Sequence, residues 1–215
     1  MVTRSMDEVL ADYISAMGQE LGANFYELYR ELVELHVLWQ QYRQLFGDTT
    51  DTVHLLNRTA GLFFKIVQDE LWDSVLLGVS RMTDPPGTGK NKNLTVQSLS
   101  PLITDSALRV EAQDLCTKAV AAAEFAREHR NKRIAHQDHN YLSNRNSNPL
   151  SGISRAAVEN MLAALRDVLN RLDNHFRDTT VMYEHFVDDS GARLLVKKLS
   201  RLERLQGTSV TEDAP

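Results

Sequence analysis

The residues of this chain best suited to chemistry lie in one run, Arg130-Asn131-Lys132-Arg133-Ile134-Ala135-His136. A guanidinium is a planar fork of donors that matches an oxyanion such as phosphate, and an imidazole exchanges a proton near neutral pH. Together they can hold an anion and move a proton beside it. The spacing alone carries little information. With 17 Arg and 7 His among 215 residues, an Arg separated from a His by four to six positions is expected by chance about 1.7 times. It occurs three times, at Arg30/His36, Arg130/His136 and Arg133/His139. Context ranks them. Arg30/His36 sits among Leu32, Val33 and Leu35 in an acidic stretch, whereas Arg130/His136 has a polar Asn131 after the Arg, lies in a basic segment and precedes a loop rich in Asn and Ser. Only Arg130/His136 reads as an anion site.

The charge distribution supports that ranking. The net charge of −5 argues against non-specific nucleic-acid binding over the whole surface. Residues 1–126 carry −7, however, while residues 127–145 carry +3 and residues 193–204 carry +4. The first basic segment holds Arg127, Arg130, Lys132 and Arg133; the second holds Arg193, Lys197, Lys198, Arg201 and Arg204. Cations at a helix C-terminus are favoured by the helix dipole by about 0.3 to 1 kcal/mol each, so charge alone does not assign a function to the first. The second reads as a solvated helix face with Leu194, Leu195, Leu199 and Leu202 as its buried side.

Other chemistries find no matching pattern. Gly87-Thr88-Gly89-Lys90 lacks the first Gly of a phosphate-binding loop, and Asn91 stands where Ser or Thr would hold magnesium. The seven His and the single Cys116 form no H-E-x-x-H or paired C-x-x-C spacing, so neither a metal nor another cofactor is expected. Cys116, on an apolar helix face, reads as a small core residue. No apolar run reaches the roughly 18 residues that a membrane span needs, and Met1-Val2-Thr3-Arg4 does not open a signal peptide. The expectation is a protein of the cytoplasm with no membrane partner.

The elements that must position these residues are helices. Val158, Met161, Leu162, Leu165, Val168, Leu169, Leu172 and Phe176 recur at steps of three and four. Trp72, Val75, Leu76 and Val79 mark a helix from about Asp51 to Arg81, stopped by Asp84-Pro85-Pro86. Phe25, Leu28, Tyr29, Leu32, Leu35 and Trp39 mark a third, with Gly18 and Gly22 as break points upstream. A fourth is capped by Asp105 and runs to about His136 on a small face that includes Cys116, Ala119, Ala123 and Ala126. A short terminal helix covers Gly191 to Leu205, and Leu94-Thr95-Val96 is the one strand candidate. The fold class is therefore all-α: an antiparallel bundle of about four long helices plus a short C-terminal helix, in a single domain over residues 1–206 with a polar tail at 207–215.

On such a bundle, Arg130 to His136 resembles the R-polar-x(3–5)-H signature of the HEPN superfamily. Leu38-Trp39, Leu55-Leu56-Asn57-Arg58, Phe63-Phe64 and Leu71-Trp72 through Ser80-Arg81-Met82-Thr83-Asp84-Pro85 are similar to its abortive-infection AbiU-type branch. The resemblance covers roughly residues 20–190, and the Arg81–Pro85 and Arg130–His136 blocks are its most specific parts. It implies a HEPN-like fold and a metal-independent ribonuclease of phage-defence or toxin systems. It also implies a homodimer whose two Arg/His pairs line one cleft, and an antitoxin or regulatory partner. His136 would be the acid/base, Arg130 the phosphate-binding cation, and Asn131 a substrate-orienting residue. From the charge argument, Arg127, Lys132 and Arg133 are added as RNA-backbone contacts. Where branches paired with a nucleotidyltransferase antitoxin carry a Tyr, two residues after the His, this chain has Asp138.

The chemistry is coherent with that assignment. Attack by an RNA 2′-hydroxyl on the adjacent phosphate needs proton transfer and a cation for the phosphorane. On a straight helix Arg130 and His136 would point about 120° apart with a rise of about 9 Å, so one protomer presents them poorly and a two-fold axis would bring four such groups into one groove. Two other readings stay open: a non-catalytic module binding a nucleotide or partner in the same pocket, and a purely structural helix terminus.

Overall fold

The computed structural model describes residues 4–88, 91–131, 154–185 and 190–209. The protein is the expected all-α helical bundle, with helices α1 (Met6–Met17), α2 (Gln19–Phe46), α3 (Thr50–Thr83), α4 (Ser106–Ala122), α5 (Glu124–His129), α6 (Arg155–Arg177) and α7 (Ala192–Ser209). Two-residue strands β1 (Gly87–Thr88) and β2 (Asn91–Lys92) pair antiparallel. The chain divides into two compact units, Met1–Leu35 with Leu76–Tyr183 and His36–Val75 with Glu184–Pro215, so the division falls within α2 and within α3.

In the first unit, α1 opens on a capping box: Ser5 Oγ accepts from the Glu8 amide, and Glu8 Oε2 accepts from the Ser5 amide. It ends at Gly18, whose φ of 86° takes it out of the helix. Gly22, the other expected break point, lies inside α2. It is required there for closeness, since a Cβ would stand 2.5 Å from the Tyr13 carbonyl oxygen. The α6 periodicity is borne out, with Val158, Met161, Leu162, Leu165, Val168, Leu169 and Leu172 all buried. Along it packs α4, with Ala112, Cys116 and Ala119 buried and Asp105 capping its start through the Ala107 and Leu108 amides. Burial pushes the Cys116 thiol up to about 12, and it donates to the Val96 carbonyl at 3.2 Å, in keeping with a core role.

Three expectations for this unit are corrected. The helix from Asp105 does not continue unbroken; α4 stops at Ala123, where φ −86° and ψ 1° interrupt the ladder before α5 begins. Leu94-Thr95-Val96 is not a strand. Val96–Ser98 forms a 3-10 turn, fixed by Ser98 Oγ donating to the Thr95 carbonyl at 2.6 Å and by complete burial of Val96, Leu99 and Ile103. Phe176, counted with the apolar face of α6, is half-buried, and the fully buried position beside it is Asp173.

Asp173 is the costliest group in the unit. Its Oδ1 accepts from Arg177 at 3.0 Å, while Oδ2 has no hydrogen-bond partner among the described residues. The Arg177 guanidinium lies 4.0 Å over the Tyr13 ring, and Tyr13 packs on Phe25, Tyr26 and Tyr29. Desolvation raises the Asp173 carboxyl above its ordinary 3.8, more than the adjacent Arg177 lowers it. The folded state therefore holds this proton more tightly than the unfolded chain. The stability it contributes is full below pH 3.8 and lost as pH rises through the raised value. In urea unfolding at pH 4 and at pH 7, wild type should be favoured over Asp173→Asn by a larger margin at pH 4. A margin that grows towards pH 7 would mean that the Arg177 ion pair outweighs desolvation.

In the second unit, Trp39 stacks on Tyr42 at 5.0 Å and Trp72 closes on both rings. Leu45, Leu56, Phe64 and Ala192 form a core on which Phe46, Val67, Leu71, Val196 and Leu199 pack. Two glutamines of α2 meet the opening amides of α7: Gln41 accepts from Ala192 at 2.7 Å and Gln44 from Arg193 at 2.9 Å. α3 is kinked at Ala60. The terminal helix differs from expectation in two ways. It runs past Leu205 to Ser209, because Gly207 weakens a helix by about 1 kcal/mol without removing a donor. Its buried side is Ala192, Val196 and Leu199, whereas Leu195 and Leu202 are exposed. No helix among the described residues is long and apolar enough to cross a membrane.

Candidate functional site

The site is assembled where α3 ends. Pro85 and Pro86 prevent further helix, so the last carbonyls of α3 need partners from elsewhere. Thr83 turns its hydroxyl back onto the Val79 carbonyl at 2.8 Å. Gln97 Nε2 donates to the carbonyls of Thr83 and Asp84 at 3.2 and 3.1 Å. Arg127, on α5, donates to the Thr83 carbonyl at 3.2 Å, pairs with Glu124 at 2.6 Å, and lies 3.8 Å from Asp84 Oδ1.

Arg130 is placed one turn after Arg127, beyond the Ala123 bend. One terminal nitrogen forms an ion pair with Asp84 Oδ2, and Nε donates to Asn131 Oδ1 at 3.2 Å. The other terminal nitrogen has no partner among the described residues. Residues 130–131 form a wider, π-type turn, a departure from α geometry that recurs at functional positions. The side chains of Arg127, Asp84 and Arg130 are 18%, 19% and 21% exposed, so each charge is anchored by the protein yet keeps an edge in solvent. Such a cluster can receive an oxyanion on the open edge of Arg130, in competition with Asp84.

The structure thus brings together Arg127, Arg130 and Asn131. His136, Lys132 and Arg133 lie outside the described residues. Arg127 is held by Glu124 and the end of α3. Neighbouring His129 is buried and stacks on Phe125 at 6.0 Å, away from solvent. Of the other two Arg/His spacings, Arg30 pairs with Glu27 and stands over Tyr26, and His36 is buried; His139 lies outside the described residues.

Asp84, Thr83 and Gln97 were not legible as site residues. A signal existed for Asp84: a segment of +3 needs a counter-charge, and the two blocks most specific to the resemblance, Arg81–Pro85 and Arg130–His136, meet through this carboxylate. One turn earlier on α3, Arg81 pairs with Glu31 at 2.6 Å beside a cleft of about 290 Å³ that Leu28, Met82 and Leu94 also line. Among the described residues, no group of three or more His, Cys, Asp or Glu side chains is placed to hold a metal ion.

No curated protein and no solved structure matches the chain. A family match, to HEPN_AbiU2, described as AbiU2, covers residues 8–194. It takes in both the end of α3 and the segment from Arg127 to Arg130 that closes on it, and on that extent the chain belongs to the HEPN_AbiU2 family.

Proposed function

We propose that this protein is a metal-independent endoribonuclease of the phage-defence or toxin type, acting in abortive infection. What supports the reading most is Arg130: a guanidinium anchored by Asp84 at the meeting point of the two blocks most specific to the resemblance, with one edge directed to solvent. In the reaction, His136 takes the proton of a 2′-hydroxyl as O2′ attacks the adjacent phosphorus. Arg130 takes up the negative charge of the phosphorane, the P–O5′ bond breaks, and a proton is delivered to O5′. With one His per chain, the second proton transfer falls to the His136 of a second copy, the homodimer supplying both pairs to one cleft. Asn131 orients Arg130 through its Nε contact. Arg127, Lys132 and Arg133 extend the cationic surface along the RNA backbone. An antitoxin or other regulatory protein that covers Arg130 would silence the site.

The test is cleavage of a labelled RNA in excess chelator. The expected products carry 2′,3′-cyclic phosphate and 5′-hydroxyl ends, and a single 2′-deoxy substitution at the cut site should abolish the cut there. Activity that requires a divalent metal, or that ignores the 2′-deoxy substitution, overturns the mechanism. The Asp84–Arg130 ion pair favours one other reading, a pocket that holds a nucleotide without cleaving it; that reading gives saturable nucleotide binding, weakened by Arg130→Ala, with no product.

A further inference from the structure

Exposed apolar side chains concentrate in the second unit. Six of the ten large hydrophobic residues exposed among the described residues fall there, in about a third of the chain: Leu62, Phe63 and Ile66 on α3, and Leu195, Leu202 and Leu205 on α7. A concentration of this kind marks a surface meant to be covered. The two groups are arranged as rows. On α3, Leu62, Ile66 and the exposed Glu70 follow one another at i, i+4 and i+8. On α7, Leu195, Lys198, Leu202 and Leu205 follow at i, i+3, i+7 and i+10.

Each row carries its own sign of charge. Residues 61–75 of α3 hold Lys65 against Asp69, Glu70 and Asp73, with Lys65 and Asp69 already paired at 2.5 Å. α7 holds five cations against Glu203, which Arg58 neutralises at 2.7 Å. Arg193, Lys197, Lys198 and Arg201 are exposed, and none has an ion pair among the described residues. The two rows cannot cover one another within a chain. α3 and α7 meet through other faces, Phe64, Val67 and Leu71 against Ala192, Val196 and Leu199, which leaves both rows outside that core.

We infer that the second unit is a self-association surface, in which the Leu62–Ile66–Glu70 row of one protomer docks on the Leu195–Lys198–Leu202 row of a second copy. A two-fold arrangement uses each contact twice, Glu70 facing Lys198 on both sides. A polyanion would engage the α7 cations but leave six apolar side chains in water. An anionic bilayer would accept α7 and repel the acidic row of α3. A second copy covers both rows at once. None of Arg127, Arg130 or Asp84 belongs to this unit, so the inference does not rest on the ribonuclease reading.

The test is the oligomeric state of the full chain by sedimentation equilibrium, with circular dichroism as the check on folding. Wild type is expected to be dimeric at micromolar concentration. Glu70→Lys and Lys198→Glu, each of which places like charges together, should weaken the dimer at least tenfold. Combining both substitutions in one chain, or mixing the two single variants, should restore it. A monomeric wild type, or a dimer indifferent to both single variants, overturns the inference. A monomer that binds heparin, tighter with Glu70→Lys and weaker with Lys198→Glu, assigns the surface to a polyanion and overturns it. Sedimentation of a monomer with phosphatidylglycerol/phosphatidylcholine vesicles, lost in Leu202→Glu, assigns it to a membrane and does the same.

Discussion

His136→Ala is expected to lower metal-free RNA cleavage by about 10²- to 10⁴-fold, the usual contribution of a positioned proton-transfer group. Arg130→Ala should cost about 10²- to 10³-fold, the scale of removing one donor to a developing oxyanion. Because the two groups serve one transition state, the double variant should be little worse than the poorer single. Arg130→Lys separates the roles of charge and geometry. A lysine keeps the charge but has one donor centre where Arg130 needs two, one held by Asp84 and one open to solvent, so rescue should be partial at best. The rate should also lose its dependence on pH near the ordinary His range of about 6.5 in His136→Ala. Thermal melts must accompany the Arg130 variants, since their loss leaves Asp84 without its closer partner. Activity equal to wild type in folded His136→Ala or Arg130→Ala protein would rule out these roles.

The fold was legible wherever apolar spacing decides it. In α6, seven of the expected positions are buried, because a long helix with one face in the core has little other choice of register. It was illegible where a short-range or long-range polar contact decides. Ala123 has the best helix propensity of any residue and still ends α4, and nothing in the sequence from Asp105 onwards signals that bend. The leucines of α7 misled for another reason. Hydrophobicity says that a face is apolar and not whether this chain or another covers it, and the core took Ala192 and Val196 in preference to Leu195 and Leu202. The site divides along the same line. Arg130 and Asn131 stood out because their types are unusual in context, whereas Asp84 is 46 residues away from Arg130 and ordinary in its own surroundings.

Asp84→Ala is expected to change binding and turnover in opposite directions. The carboxylate holds one edge of the Arg130 guanidinium and lies 3.8 Å from Arg127, so it fixes where the cation sits and also competes with any incoming phosphate. Removing it frees Arg130 for the RNA backbone. Apparent affinity for RNA should rise by roughly three- to tenfold at low salt and become more salt-dependent, as expected when another cation is available to phosphate. Turnover should fall by roughly tenfold to a hundredfold, because a guanidinium displaced by an ångström no longer meets the phosphorane. Loss of a charged hydrogen-bond partner at one-fifth exposure should cost about 1–3 kcal/mol of stability, visible as a lower urea midpoint with unchanged slope. Asp84→Glu, which retains the charge on a longer arm, should recover most of the stability and less of the turnover. A merely structural carboxylate would lower stability and leave the ratio of kcat to KM unchanged per folded molecule. A catalytic anchor lowers KM and kcat together, and that joint fall is the result that distinguishes it.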